Sequence, residues 1–590
     1  MTPHNDETID LNNAELQQAL QIIRFTQRSL FLTGKAGTGK STFLRYIAAH
    51  TKKKHVILAP TGIAAINAGG STLHSFFKLP FHPVIPTDVR YSTRHLRETL
   101  KYNSEKIKLI RELDLIIIDE ISMVRADIID CIDKILRVYC HRMREPFGGK
   151  QLLLVGDIFQ LEPVVREEDR QLLRPFYPSS FFFDAFVFRQ MQLVSIELRH
   201  VYRQSDPVFL GILDHIRAAS VTNADLIKLN SRVVTADGED GNQTWQDKNL
   251  AITLSTRRDT VDFINDQRLA GLPGNPEVLM GAIQGEFPQN NLPTPLELRL
   301  KVGAQVLFVK NDRDHRWVNG TLGTVVGFDD EDHEHVMVCT ESGQTYDVER
   351  EVWSNMRYTY NEQEKKIEEE ELGTYTQFPL RLAWAITVHK SQGLTFNRVE
   401  IDFTGGVFAG GQTYVALSRC RSLEGIRLKE PIRRADVFVR REVTDYAQHN
   451  YNNTQIIGQA LQQSKADREY FESVQAFDQG DMQAALDHFF LAIHSRYDIE
   501  KPVPKRYLRR KLDIVNVQRR RICQLEEENR KQKEFMAKLA DEYVLMGRDC
   551  ERENMVQAAV RNYEKALQLR PDYPCLTDRI KKLRSESEKR

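Results

Sequence analysis

Eight residues near the amino terminus, Gly34-Lys35-Ala36-Gly37-Thr38-Gly39-Lys40-Ser41, follow the spacing G-x-x-x-x-G-K-S. An apolar run, SLFLTG, leads into them and a helix-like segment follows. The chemistry this spacing suits is phosphate binding. Glycines at 34, 37 and 39 let the backbone curl until its N–H groups, including those of Ala36 and Thr38, face phosphate oxygens, and the start of the helix adds partial positive charge. Lys40 is expected to reach the β- and γ-phosphates of ATP, and Ser41 to ligate Mg²⁺, with Thr42 beside it. A triphosphate with its metal also needs a carboxylate for the ion and a group to orient water. The run LIIIDE supplies both: Asp119 would hold Mg²⁺ through its water shell and Glu120 would polarise the attacking water. Gln160, in LLLVGDIFQLEPV, is expected at the end of another strand, in reach of the γ-phosphate.

These groups need a rigid frame. VILA (56–59), LDLIIID (113–119), LLLVGD (152–157) and LVSIEL (193–198) are continuous apolar runs, as buried parallel strands are. Helix-like segments alternate with them, which implies an α/β fold with a parallel sheet. After about residue 245 a second set appears, LAITLS, LAWAIT and VEIDF, so two consecutive α/β domains are expected. Between its members, residues 301–360 alternate in short segments with Asn-Gly and Gly turns, the signature of a small antiparallel barrel. The acidic stretch NEQEKKIEEEEL (361–372) reads as a solvated hairpin tip or loop.

Beyond about residue 440 helical periodicity takes over. Two segments resemble tetratricopeptide repeats: Gly547, Ala559, Tyr563, Ala566 and Pro571 fit the second, and Gly480, Ala485, Phe489 and Ala492 the first, with Tyr497 where proline is usual. An Arg-rich helical stretch, 505–533, joins them. Such repeats would offer a surface for a protein partner.

The 590 residues exceed what one core usually supports, and the 82 basic and 82 acidic residues leave the chain neutral. Net charge therefore does not announce a polyanionic partner. Seven scattered cysteines without a C-x-x-C pair argue against a disulfide framework or metal cluster. No apolar run approaches the roughly 20 residues that span a bilayer, and the polar start lacks a signal peptide's core. A soluble cytoplasmic protein is expected.

Seven motifs in order, GKAGTGKS, TGIAAINAGGSTLHSFF, LIIIDEISMV, VGDIFQLEPV, VYRQ, AITVHKSQGLTF and YVALSRCR, resemble superfamily 1 helicases. EISMVRADIIDCID most resembles the petite-integration-frequency (Pif) family, and the likeness covers roughly residues 10–430. It implies a 5′→3′ DNA helicase with two RecA-like P-loop domains, an SH3-like barrel inserted in the second, and a bacterial, nucleoid-associated setting. The implied boundaries are 1–28 for an adenine-reading element, 29–220 for the first domain with a small duplex-splitting insertion at about 80–108, 221–440 for the second with its barrel at about 301–375, and 441–590 for the helical tail. Gln17 in ELQQAL is the implied adenine reader, with Gln18 close behind. Arg419 is placed for an arginine finger arriving from the second domain, and Arg203 is the other γ-phosphate contact.

Single-stranded DNA, and junctions of single with double strands, would be met by Thr61, Gly62, His74 and Phe76 on the first domain. His389, Lys390, Ser391, Gln392 and Gly393 are the second domain's counterpart, the last two also facing nucleotide. Phe77 could exchange roles with Phe76. Two departures from the family pattern stand out: Arg257 and Arg258 replace a Thr-Asn pair, and Glu162 replaces proline. An RNA-directed helicase and a signalling ATPase with protein-binding repeats are the competing readings.

Overall fold

The computed structural model describes residues 13–202, 206–234, 250–312, 314–329, 334–361, 363–364, 366–479, 481–495 and 502–587. The first lobe is built on β1 (Leu30–Gly34), β2 (His55–Ala59), β3 (Ser71–Thr72), β4 (Leu115–Ile118), β5 (Gln151–Val155) and β6 (Val194–Leu198). These form one parallel sheet in the order β3-β2-β4-β5-β1-β6. Helices Ala14–Phe25 and Lys40–His50 bury Leu16, Ile22, Phe43 and Ile47 on one face, while helix Ala126–Tyr139 contributes Ile128, Ile132 and Ile135 to the core on the other. Burial on both faces is why these strands read as unbroken apolar runs. Because β4, β5 and β1 are neighbours and run the same way, the residues after them, Asp119, Gly156 and the glycine-rich loop, share one edge of the sheet.

The second lobe carries a four-stranded parallel sheet in the order Ala385–Thr387, Ile252–Ser255, Val399–Asp402, Ile426–Leu428. Its core also contains Phe209, Ile212, Leu213 and Ile216 of helix Pro207–Arg217. The sequence boundary at 220 gave that helix to the first lobe; its apolar face packs in the second. At the other end the chain returns: Val443 joins the first lobe's core, Tyr446 and Tyr451 pack against it, and Ile457 and Ala460 join the core on the opposite face. Tyr451 forms a β-bridge with Ser195, so this stretch belongs with the first lobe rather than with the tail.

The insertion is a five-stranded antiparallel sheet ordered Thr345–Val348, Val336–Thr340, Leu322–Phe328, Gln305–Phe308, Leu380–Leu382, closing over Phe308, Trp317, Val325 and Phe378. Its last strand lies beyond the expected limit of 375. Residues 351–377 stand apart as a long hairpin, Glu351–Asn361 with Lys366–Gln377, flanked by Ala282–Gly285. The acidic stretch expected as a hairpin tip or loop does turn this hairpin, but most of it is strand. Cross-strand pairing explains it: Arg357 meets Glu370 at 2.6 Å and Ser354 donates to Glu371 at 2.5 Å, so the carboxylates have partners on the hairpin surface. Tyr358 of this hairpin is buried in the first lobe's core, and its hydroxyl accepts from the Ile57 N–H at 3.3 Å.

Residues 466–590 form a separate helical unit. Helices Pro502–Arg552, Val556–Leu569 and Leu576–Ser587 enclose Ala540, Val544, Ala559, Tyr563, Ala566 and Ile580. A side chain at Gly547 would collide with the Tyr563 ring, so glycine sets the close approach of the first two helices. Ala485 and Ala492 of the other copy are fully buried; Gly480 and Tyr497 lie outside the described residues. No helix among the described residues is long and apolar enough to cross a membrane.

Candidate functional site

The glycine-rich loop curls between β1 and helix Lys40–His50 with positive φ at Gly34, Gly37 and Gly39 (152°, 81° and 84°). A Cβ on Gly34 would sit 2.7 Å from the Leu198 carbonyl oxygen and 2.8 Å from Thr38 Oγ1, so glycine is required there by space as well as by φ. Thr38 Oγ1 donates to the Lys35 carbonyl at 2.9 Å, which locks the turn. Lys40 Nζ donates to the carbonyls of Gly34 and Lys35 at 2.7 and 2.9 Å. Burial lowers its pKa, while Asp157, Glu120 and Asp119 oppose that shift. Ser41, at the second position of the helix, is exposed and Thr42 half-buried beside it.

Asp119 and Glu120 follow β4 on the same edge. The Glu120 N–H donates to Asp119 Oδ1 at 2.9 Å, and Glu120 itself adopts φ 49°, a left-handed conformation that turns it off the strand. Burial raises Asp119. Burial, then the charge of Asp119, pushes Glu120 up to about 7, against the pull of Lys40 and Arg419. A carboxylate poised there is matched to taking a proton from water near neutral pH. Gln160 is buried, with Nε2 3.5 Å from Asp157 Oδ2.

From the second lobe, helix Gln412–Leu417 brings its N-terminal end against this edge. Gly411, at φ 80°, lies so close to the carbonyls of Phe159 and Gln160 that no side chain would fit. The Ala36 N–H of the phosphate loop donates to the Tyr414 hydroxyl at 3.2 Å. Arg419 is 1% exposed and its charge acts on Glu120, so it lies inside the seam. Its guanidinium donates to the carbonyls of Val415 (2.9 Å), Leu394 (3.1 Å) and Ser391 (3.3 Å). Arg203 lies outside the described residues.

A third cation was not singled out from sequence. Arg217 closes helix Pro207–Arg217, whose apolar face belongs to the second lobe, yet it reaches into the first. It donates to Asp157 Oδ1 and Glu197 Oε1, both at 3.0 Å, and lies 4.3 Å over the Phe159 ring. Burial disfavours its charge, but Asp157, Tyr414 and Glu197 more than offset that and its pKa is raised. In the sequence DHIRAA it reads as an ordinary helix end; nothing there says that the helix packs on one lobe and its last side chain on the other.

The adenine-reading candidate Gln17 is exposed on helix Ala14–Phe25, its N–H bonded to the Asn13 carbonyl at 3.0 Å. Glu162 is explained: it pairs through both oxygens with Arg440, at 2.9 and 3.1 Å. Arg257 donates to the Gly405 carbonyl at 3.2 Å, and Arg258 pairs with Asp262 at 3.3 Å on the surface.

The groups expected to meet DNA separate into two sets. Thr61 caps helix Gly62–Ala68, accepting the Ala64 N–H at 3.2 Å, and Gly62 is overlain by Asn291 of the insertion. His389 is half-buried, and burial lowers its pKa. Lys390 is exposed, and Gly393 turns the chain with φ 78°. Lys390 and Gln392 line a cavity between the lobes together with Asn67, Asn319 and Arg381, above an apolar floor that includes Ile63 and Leu307. Arg381 Nη2 donates to the Leu292 carbonyl at 3.2 Å; its Nε and the Gln392 Nε2 are buried with no partner in the protein. Buried donors of this kind are uncommon, and an ordered water or a ligand oxygen would satisfy them. Arg381 was missed because PLRLAW reads simply as a strand.

Two expectations are corrected. Ser391 is fully buried and its hydroxyl donates to the Val388 carbonyl at 2.7 Å, so it shapes the turn and does not face a strand. Phe76 is 4% exposed, set edge-on to Phe77 with Lys106 Nζ 3.2 Å over its ring; both phenylalanines are core. His74 lies under Phe81, rings 5.0 Å apart and 6° from parallel; burial, then Arg125, lowers its pKa.

Comparison with known proteins agrees with this geometry. The family described as PIF1-like helicase matches residues 13–207, and the one described as DNA helicase Pif1, 2B domain, matches residues 286–328 within the insertion. An ATP-dependent DNA helicase PIF1 of Danio rerio is 34% identical over 425 residues, 68% of this chain, which spans 58% of that relative's length. The chain is also 32% identical over 420 residues to the ATP-dependent DNA helicase Pif1 of Bdellovibrio bacteriovorus, covering 70% of this chain and 87% of that one. Unliganded Pif1 from a Bacteroides species is similar in structure, at 39% identity, TM-score 0.66, 74% of this chain and 96% of that one; the same protein bound to single-stranded DNA matches at TM-score 0.53 with the same identity and coverage. Two RecA-like lobes, an inserted antiparallel module and a seam lined from both sides thus arise together, and the chain belongs to the PIF1-like helicase family.

Proposed function

We propose that this chain is an ATP-driven motor that moves 5′→3′ along single-stranded DNA and unwinds duplex, with G-quadruplex and RNA–DNA structures as further substrates, in DNA repair, recombination or replication. The observation that carries the reading is the seam, where Arg419, Tyr414 and Arg217 of the second lobe meet the phosphate loop, Glu120 and Asp157 of the first.

The loop suits a triphosphate. Its Ala36 N–H faces a neutral hydroxyl, and a phosphate oxygen is the stronger acceptor for that donor. Lys40 would exchange two loop carbonyls for phosphate oxygens, and Gln17 would read adenine. Bound Mg²⁺ would neutralise phosphate charge, held by Ser41 and, through water, by Asp119. Glu120 accepts the proton of the attacking water, Gln160 senses the γ-phosphate, and Arg419 with Arg203 balances charge in the transition state. Gln392 and Gly393 tie that event to the strand, and Thr61, Gly62, His74, His389, Lys390 and Arg381 are the strand contacts. We place the domain limits near 206 and 440, and the tail's helical repeats would offer a surface for a protein partner.

Strand displacement from 5′-tailed and 3′-tailed DNA duplexes tests the reading. Unwinding of the 5′-tailed substrate with ATP, and neither reaction with Lys40→Ala, is the expected result; preferential opening of matched RNA forks would replace it with the RNA reading.

A further inference from the structure

The loop Leu79-Pro80-Phe81-His82-Pro83 leaves the first lobe just after the buried Phe76-Phe77 pair. Phe81 is 84% exposed, whereas Phe76 and Phe77 are 4% and 0% exposed. A single exposed apolar side chain is ordinary on a protein surface. Three features set this one apart. Prolines on either side of the Phe81-His82 pair restrict the backbone, so the ring is held out without large conformational freedom. One face lies flat on His74, centroids 5.0 Å apart and planes 6° from parallel, while the other face is open. The segment that carries it is basic: residues 78–108 contain seven Lys or Arg against three Asp or Glu, a net +4 in a chain of net zero. Arg125, paired with Asp127 at 2.8 Å, also donates from Nη2 to the His82 carbonyl at 3.5 Å.

A supported flat ring with an open face, in a basic segment, matches an unpaired base carried on a phosphate backbone. We propose that Phe81, backed by His74, is a stacking platform for an unpaired nucleobase of the DNA strand. The assignment rests on the helicase reading and gives the first lobe the aromatic contact that Phe76, being core, does not provide. Aliphatic side chains of a protein partner would also cover an exposed ring, but would gain little from its planar support.

The test uses the full chain and an oligothymidylate carrying one 2-aminopurine, whose fluorescence falls when it stacks on a ring. Phe81→Ala is expected to weaken binding by about 5- to 100-fold, the usual loss for one base-stacking ring, and to abolish that quenching. Phe81→Trp keeps both, Phe81→Leu behaves as Phe81→Ala, and DNA-free ATP turnover is unchanged throughout. Wild-type affinity in Phe81→Ala, or full recovery in Phe81→Leu, overturns the platform, the latter because apolar bulk alone would then suffice. If DNA fails to stimulate wild-type turnover at all, the helicase reading fails; if wild-type is stimulated while Phe81→Ala binds normally, the platform alone fails.

Discussion

At the nucleotide seam, Asp157, Glu197 and Arg217 are buried or nearly so and satisfy one another, and Glu120 is driven up to about 7 by its surroundings. On the surface that carries Phe81 an aromatic face is open, and in the cavity that holds Arg381 two buried donors, its Nε and Gln392 Nε2, meet no protein acceptor; on the seam helix Gln412 Nε2 alone does the same. On the proposed function, the difference follows from what each region would handle. Bond breaking gains from dipoles fixed in advance in a dry site, because they need no rearrangement in the transition state. A strand that must slide needs contacts that any sequence can make and leave, so the complement is supplied by the ligand.

Breaking the fixed side has the largest effect. Glu120→Gln removes the proposed proton acceptor, and turnover at saturating ATP should drop by about 10²- to 10⁴-fold while ATP binding persists. The sign of its pH dependence follows from the raised pKa: Glu120 is protonated and inactive well below about 7 and ionised above it. Wild-type turnover should therefore rise from pH 6 to pH 8, and the residual activity of Glu120→Gln should lack that limb; a flat wild-type profile removes Glu120 as the base.

Arg217→Gln comes next. It leaves Asp157 as a buried carboxylate without its cation and Glu197, half-buried, without its partner; breaking such a buried pair typically costs about 3–5 kcal/mol, readable as a lower urea midpoint together with slower turnover. Unfolding that matches wild type would show that the lobes do not depend on this pair.

On the open side, Arg381→Ala should weaken single-stranded DNA binding without sequence preference and reduce the salt slope of log K by about 1, with DNA-free turnover intact. An unchanged salt slope would take phosphate away from Arg381. Ser391→Ala is the smallest perturbation. It loses one internal hydrogen bond worth about 1 kcal/mol, and thermal unfolding should register it while DNA affinity stays within twofold.

The fixed side was largely legible in the sequence. Gly34 to Ser41 and Asp119-Glu120 are contiguous, so their roles depend on local backbone geometry and on which strands are neighbours. Arg217 was invisible because its role needs a helix that packs on one lobe while its last residue crosses to the other. The open side was harder. Phe76, Phe77 and Phe81 are the same residue type within six positions, and only the rigid Pro-flanked loop decides which ring faces solvent. The acidic run at 361–372 reads as a hairpin tip or loop from its charge, and its strand part is not legible because it depends on pairing: Glu370 lies opposite Arg357, and Glu371 and Glu368 come within hydrogen-bond reach of Ser354 and Asn361. Tail glycine 547 was read from a repeat pattern, and its physical basis is contact with Tyr563.

Steady-state ATP hydrolysis by the full chain, measured against increasing oligothymidylate, tests most directly whether the two sides work as one machine. A steep, saturable rise in rate that is absent in Lys40→Ala and needs more DNA in Phe81→Ala is the expected result. A rate indifferent to DNA in a folded wild-type chain would contradict it.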